Sequence, residues 1–359
     1  MASRIYEWLD NRLNLKAVER TLLDEPIPGG ASWIYVFGSA TLFLFVLQAV
    51  TGMFLAVYYA PTPDHAYDSV QFIMTRVPFG WLVRSIHAWS ANLMVGAAFA
   101  HMFSVLFLKA YRRPREVTWV SGVLLLFLAL GFGFTGYLLP WNELSYFATR
   151  VGTDIVGVLP GVGEFMLTFL RGGKDISGAT LTRFYGFHVA VLPAIATALI
   201  GLHLLLVQYH GMSVPPSVEE KAKRDGKPVS AMPFVPHFAL RDLFGWTVAL
   251  ALLAGLSAYL PWELGHKADP FASAPAGIQP EWYFLWTFQA LKYVPAHILG
   301  IEGELVAIIV MGLGAAALVL LPFLDPNTRR SRAIVSWLAV GALIFMLAMT
   351  LLALKGSHP

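Results

Sequence analysis

The 359-residue chain contains no cysteine. Disulfides, thiolate metal ligands, a protein-held iron–sulfur cluster and haem attached through cysteine are therefore all excluded. Charge is scarce as well: Asp, Glu, Lys and Arg make up 13% of the residues, against about 25% in soluble domains. Apolar residues, 57% of the chain, fill the difference and are gathered into long runs. A hydrocarbon core about 30 Å thick takes roughly 20 residues of helix. Seven runs are long enough: 34–59, 83–108, 117–139, 184–209, 242–262, 303–323 and 333–354. Lipid offers backbone polar groups no partner outside their own chain, so these runs are expected to be helices. The fold class is all-α integral membrane, with a four-helix bundle followed by three further spans.

No internal repeat and no cleavable targeting segment is apparent. Residues 1–33 mix charge with Ile5, Trp8, Leu9, Leu13 and Leu15, a pattern that suits a helix lying on the membrane surface; a solvated helix fits it equally well. The polar stretch 214–241 is the best internal boundary, separating a four-helix unit (34–213) from a three-helix unit (242–359). With seven spans the connections alternate sides. One face then receives 16 of the 25 Lys and Arg residues. The positive-inside rule puts that face, the N-terminus and the 214–241 connector in the cytoplasm. No nucleic acid is expected among the partners.

The chemistry lies in the second and fourth spans. The second carries His87 and His101, fourteen residues apart; the fourth carries His188 and His203, fifteen apart. Both spans run in the same direction, so His87 matches His188 in depth and His101 matches His203. At about 1.5 Å per residue the two levels lie roughly 21 Å apart. Fourteen residues return to nearly the same helix face, whereas fifteen rotate the second imidazole by roughly 60°. Polar side chains within a span are costly and face the bundle interior. Two His from opposite sides at one depth suit bis-imidazole ligation of haem iron, here twice over. Two bare metal sites or a proton relay are the alternatives the histidines leave open. Gly38 and Gly52 in the first span, and Gly122 and Gly136 in the third, repeat the fourteen-residue period. Helix packing uses such glycines too, but sharing the histidines' period favours clearance for a flat macrocycle. Arg84, one turn before His87, and Arg112, Arg113 and Arg115 beyond His101 are candidate partners for propionates. Each equally suits a membrane anchor.

These residues, together with "SIHAW", "GYLLPW" (136–141), "TRFYGFH" (182–188), "RDLFG" (241–245) and "QPEWYF" (279–284), resemble the cytochrome b family of cytochrome bc and b–f complexes over nearly the whole chain. "TLTRFYGFH" and the fifteen-residue spacing look like the split photosynthetic form, and "PFVPHFALRDLFG" like the respiratory form. Here both parts are joined in one polypeptide, which points to a bacterial chain in a cytoplasmic membrane. There are two departures. The split form attaches a third haem through a Cys where this chain has Val36, so that linkage is excluded. Relatives commonly have Arg three residues after the inner His of the second span, where this chain has Ser104.

The resemblance implies two non-covalent b haems, ligated by His87/His188 on the outer side and His101/His203 on the inner. It also implies quinol oxidation at an outer site and quinone reduction at an inner one. A Rieske iron–sulfur protein, a c-type cytochrome or equivalent acceptor and a homodimeric complex are the implied partners. Glu281 sits among Pro280, Trp282, Tyr283 and Phe284, where low polarity raises a carboxyl pKa and suits it to taking a proton from quinol. Tyr137 and Tyr283 are candidate walls or hydrogen-bond partners for that quinol. Asp242 is, by resemblance, a proton donor to reduced quinone; a first-turn acid that complements the helix dipole is the plain alternative. Gln208 stands where relatives place His or Arg, with His210 nearby as a substitute. The runner-up function is a di-haem anchor of another quinone-linked oxidoreductase.

Overall fold

The computed structural model describes residues 2–17, 26–28, 33–275 and 277–355. Residues 18–25 and 29–32 of the expected surface segment lie outside the described residues. Within that segment, α1 (Ala2–Leu13) leaves Ile5, Trp8 and Leu13 exposed.

Among the described residues, seven helices are long and apolar enough to cross a membrane: Trp33–Ala56, Gly80–Phe107, Glu116–Leu138, Gly178–His210, Phe234–Tyr259, Gly303–Leu324 and Arg329–Lys355. The number matches the sequence expectation. The starts of the fourth, fifth and seventh differ from it by four to eight residues. Hydropathy marks where lipid begins, whereas a helix continues as long as its backbone bonds do. At Ser177, for example, the backbone N–H donates to the Thr180 hydroxyl, starting the fourth helix well before the apolar run.

In chain order the helices are α2 (Val36–Ala56), α3 (Ala66–Thr75), α4 (Gly80–Phe107), α5 (Glu116–Leu138), α6 (Glu143–Gly157), α7 (Gly163–Arg171), α8 (Gly178–Gly186) and α9 (Leu192–His210). They continue with α10 (Pro216–Arg224), α11 (Ala239–Tyr259), α12 (Trp282–Lys292), α13 (Gly303–Leu324) and α14 (Arg329–Lys355). Between α8 and α9, residues Phe187–Val191 form a π-helical turn, closed by the Leu192 N–H donating to the Phe187 carbonyl.

Helix α2 packs on α4, and α5 on α9. Helix α11 lies on α2 and α4, α13 on α5, and α12 on α14. The end of the bundle carrying α6, α7 and α12 (the loop end) is closed by a cluster including Leu138, Trp141, Tyr146, Phe147, Leu181 and Phe184. At the connector end, β1 (Pro26–Pro28) pairs antiparallel with β2 (Ala231–Pro233), Ile27 opposite Met232. There the Tyr111 hydroxyl donates to Asp325 at 2.6 Å, and the Trp119 indole donates to the Leu318 carbonyl at 2.7 Å. Both bonds fasten the four-helix unit to the three-helix unit. The spans turn apolar side chains outward, with Leu205 70% and Leu313 64% exposed. An apolar surface on this scale belongs in lipid; the chain is an integral membrane protein.

Candidate functional site

The four histidines meet as two pairs across the bundle. His87 on α4 faces His188 in the π turn with ring centres 6.4 Å apart, and His101 on α4 faces His203 on α9 at the same 6.4 Å. The rings of each pair are steeply inclined to one another, at 74° and 82°. The equal separations remove the 60° offset expected from the fifteen-residue spacing. The π turn takes up one residue more than an α turn, so the extra residue is absorbed beside His188. Below it, α9 carries His203 in the same register that α4 gives His101.

Each imidazole lies edge-on against a glycine. A Cβ at Gly38 would stand 3.0 Å from His101 Cε1; at Gly52, 3.3 Å from His87; at Gly122, 3.1 Å from His203; at Gly136, 2.5 Å from His188. The glycines therefore make room for the imidazole rings themselves, rather than for a macrocycle alone as their period suggested.

Hydroxyls that sequence reasoning missed fix the tautomer of three rings. Thr51 Oγ1 lies 2.9 Å from His87 Nδ1, Ser121 Oγ 3.0 Å from His203 Nδ1, and Thr135 Oγ1 3.2 Å from His188 Nδ1. Each hydroxyl donates its own proton within its helix, to the carbonyls of Leu47 (2.6 Å), Thr118 (2.9 Å) and Gly131 (2.8 Å) respectively. With that proton committed, the oxygen accepts from Nδ1–H. Nε2 is then left with its lone pair free, the arrangement usual for a metal-bound histidine. Each of these residues directly precedes one of the glycines, a signal that was present in the sequence. Gln48 adds support at His87, donating to its carbonyl at 2.6 Å.

Two metal–nitrogen bonds of about 2 Å, with about 1.1 Å from each ring nitrogen to its ring centre, sum to about 6 Å, close to the observed separation. Among the described residues, no group of three His, Cys, Asp or Glu able to hold a metal ion exists. A bare ion would want about four protein ligands; a porphyrin brings four of its own. The residues present thus fit a haem iron between each pair.

At the loop end, Glu281 occupies the N-cap position of α12. Burial raises its carboxyl pKa above the ordinary value. Burial also raises the Tyr283 hydroxyl, with the nearby Glu281 and Tyr137 adding to the effect, so the structure brings the three residues together. Tyr283 approaches Gly133 so closely that a Cβ there would collide with its hydroxyl. The Trp282 indole donates to Asn92 at 2.7 Å. Beside this cluster lies an apolar cavity of about 360 Å³, lined by Leu130, Phe134, Val151, Ile278, Pro280 and Phe284 among others. Pro280 and Phe284 bracket Glu281 in sequence.

At the connector end the Ser39 hydroxyl donates to Asp242 at 2.7 Å. Ser39 adjoins Gly38 and hence the His101 ring. Among the described residues, His210 Nδ1 is buried without a hydrogen-bond partner.

Three of the four candidate arginines bond to backbone. Arg84 is buried, and its guanidinium donates to the carbonyls of Trp262 and Glu263. Arg115 donates to the carbonyls of His210 and Gly211, and Arg112 to those of Lys109 and Val214. Arg113 pairs with Glu116 at the surface. Ser104 spends its hydroxyl on the His101 carbonyl at 2.7 Å, and Val36 packs against Gly245.

Fold and site together define a seven-span redox-type membrane subunit with two imidazole pairs facing each other across the bundle. Residues 22–211 match the family model described as Cytochrome b/b6/petB, and residues 267–359 the model Cytochrome b(C-terminal)/b6/petD. The chain belongs to the cytochrome b family, and b-type haem binding follows from that membership. It is 49% identical to the cytochrome bc complex cytochrome b subunit of Chlorobaculum thiosulfatiphilum, over 82% of this chain and 67% of that one. It is 34% identical to cytochrome b of Rickettsia conorii, over 99% of this chain and 87% of that one. Among solved structures it resembles a chain of a hyperthermophilic respiratory complex III, with a TM-score of 0.85, 33% identity, and coverage of 97% of this chain and 90% of the other. The chain is thus a cytochrome b of a bc-type quinol oxidoreductase complex.

Proposed function

We propose that this chain binds two b haems, one between His87 and His188 and one between His101 and His203. On this reading it oxidises quinol at the loop end and reduces quinone at the connector end, and the complex contributes to a proton gradient. The observation that carries it is the pair of equal 6.4 Å imidazole gaps at two depths. When bound, the haems supply one-electron stations spanning the bilayer, and moving one charge against 100 mV stores about 2.3 kcal/mol.

The chain's own residues do the proton and binding work. Quinol lies in the apolar cavity lined by Pro280 and Phe284, and the neighbouring Tyr137 and Tyr283 are its hydrogen-bond partners rather than its walls. Glu281, held protonatable by burial, takes a quinol proton and releases it at the outer face. Asp242, oriented by Ser39, delivers a proton from the cytoplasmic side to reduced quinone; the first-turn dipole role remains compatible with that. Outer and inner follow from the cation distribution, which puts the N-terminus and the 214–241 connector in the cytoplasm. The same proposal divides the chain into the surface segment (1–33), the di-haem unit (34–213), the connector, and the three-helix unit (242–359) that carries Glu281. Arg84 and Arg115 keep guanidinium donors beyond those spent on carbonyls, available to propionates.

The partners are a Rieske iron–sulfur protein, a c-type cytochrome or equivalent acceptor, membrane quinone and a second copy of the chain. An apolar cavity lined by Pro280 and Phe284, on either side of Glu281 in sequence, favours this reading over a plain di-haem anchor, which needs no such site. Pyridine haemochrome quantitation with a dithionite-reduced minus oxidised spectrum tests it: two b haems per chain support it, and one or none refutes it.

A further inference from the structure

Positions 37, 51, 121 and 135 form a matched set. Each precedes one of the four glycines, and each glycine abuts one of the four imidazoles. Thr51, Ser121 and Thr135 are buried and accept from their Nδ1–H. The fourth position is Phe37, which turns outward and is 39% exposed. The ring it would serve belongs to His101, whose buried Nδ1 has no hydrogen-bond partner among the described residues. The Ser104 hydroxyl, nearest in sequence on the same helix, is spent on the His101 carbonyl. The Ser39 hydroxyl, next to Gly38, donates to Asp242.

A hydrogen bond accepted from Nδ1–H makes Nε2 a more basic ligand. A more basic ligand favours the more highly charged, oxidised iron, so bonding of this kind behind the ligand is a lever on reduction potential. The His87/His188 pair has two such bonds to hydroxyls, and the His101/His203 pair has one. We propose that the residue preceding each glycine is a redox-positioning residue acting through the imidazole, and that Phe37 withholds this bond from His101. Phe37 thereby sets the inner station at a higher reduction potential than a hydroxyl at that position would. This rests on the two-haem reading above.

The test is potentiometric titration of the purified complex, following the α-band of each haem, with haem content measured in parallel. Thr51→Val keeps the shape and removes the acceptor. It should raise the outer haem's oxidised-to-reduced balance point by roughly a tenfold change in that ratio, about 59 mV for one electron, leaving the inner haem unmoved. Thr135→Val should do the same, and Thr51→Ser should restore the original value. Phe37→Ser should lower the inner potential by a similar amount, without moving the outer. Unchanged potentials in any of these variants that retain two haems overturn the inference while leaving the two-haem reading intact. A wild-type complex without two haems would instead overturn the reading itself. Should Thr51→Val lose its haem, Phe37→Ser decides between the outcomes alone, because it adds a bond rather than removing one.

Discussion

Alanine in place of the four glycines should damage haem binding in a graded order set by the imidazole contacts. A Cβ at Gly136 would stand 2.5 Å from His188 Cε1, whereas one at Gly52 would stand 3.3 Å from His87 Cε1. Carbon atoms rest at about 3.5–4.0 Å, so the first is about 1 Å inside contact and the second only a few tenths. His188 cannot yield cheaply. Its Nδ1 is held by Thr135, its backbone lies in the π turn, and the Phe132 ring stands edge-on to it at 5.6 Å. Overpacking of this kind costs about 1–3 kcal/mol, while alanine returns about 0.8–1.0 kcal/mol of helix propensity. At Gly52 the terms nearly cancel. At Gly136 a net cost of about 1–2 kcal/mol remains, a factor of about 5–30, and it falls on the ligating ring. Haem per chain, measured by pyridine haemochrome in complexes loaded at limiting haem, should therefore drop most for Gly136→Ala. Gly38→Ala and Gly122→Ala should be intermediate, at 3.0 and 3.1 Å, and should weaken the inner haem. Gly52→Ala should stay near wild type. Full haem content in Gly136→Ala, or equal loss in Gly52→Ala, would refute the reasoning.

Three further outcomes are expected. His203→Leu should leave an outer haem that stays reduced after quinol addition, read as a persistent α-band; normal reoxidation would contradict the ligand assignment. Glu281→Gln should slow quinol oxidation with both haem spectra intact. Because burial raises this carboxyl's pKa, the proton-accepting form appears only as pH climbs past the ordinary carboxylate value near 4.3. Wild-type turnover should rise through that shifted value and the variant should lack the limb; identical pH profiles would remove Glu281 from the mechanism. Arg84→Met should leave the carbonyls of Trp262 and Glu263 unpaired, at about 1–3 kcal/mol per unsatisfied group. Thermal melting of the complex in detergent should fall, and an unchanged midpoint would show that Arg84 is no anchor for this loop.

The spans and the histidine pairs were legible because both are exceptions: long apolar runs in one case, imidazoles within them in the other. The hydroxyls of Thr51, Ser121 and Thr135 were not. Ser and Thr sit easily in apolar helices by bonding back to their own backbone, as all three do here. Only their phase with the glycines marks them, and that phase has no meaning until the imidazoles are seen against those glycines. Arg84 was opaque for another reason. One turn from His87 it reads as a propionate partner, yet its carbonyl acceptors lie nearly 180 residues further along the chain. No local pattern announces a bond of that length.

The fifteen-residue spacing in the fourth span shows what a helical wheel alone misses. On a uniform helix it rotates one imidazole by roughly 60°, still on the same side, which implies a skewed site. The chain avoids the skew. It keeps both pairs at 6.4 Å by widening a single turn at Phe187–Val191. His188 sits inside that turn, so the irregularity falls where the register matters most. The same widening sets the ring closest of the four to its glycine. The extra residue is thus a local cost accepted at the ligand itself, and the rest of α9 remains an ordinary helix. Spacing fixes depth; the turn type decides facing. Two parallel helices with unequal ligand spacings are therefore consistent with two equivalent sites whenever the longer spacing contains one π turn.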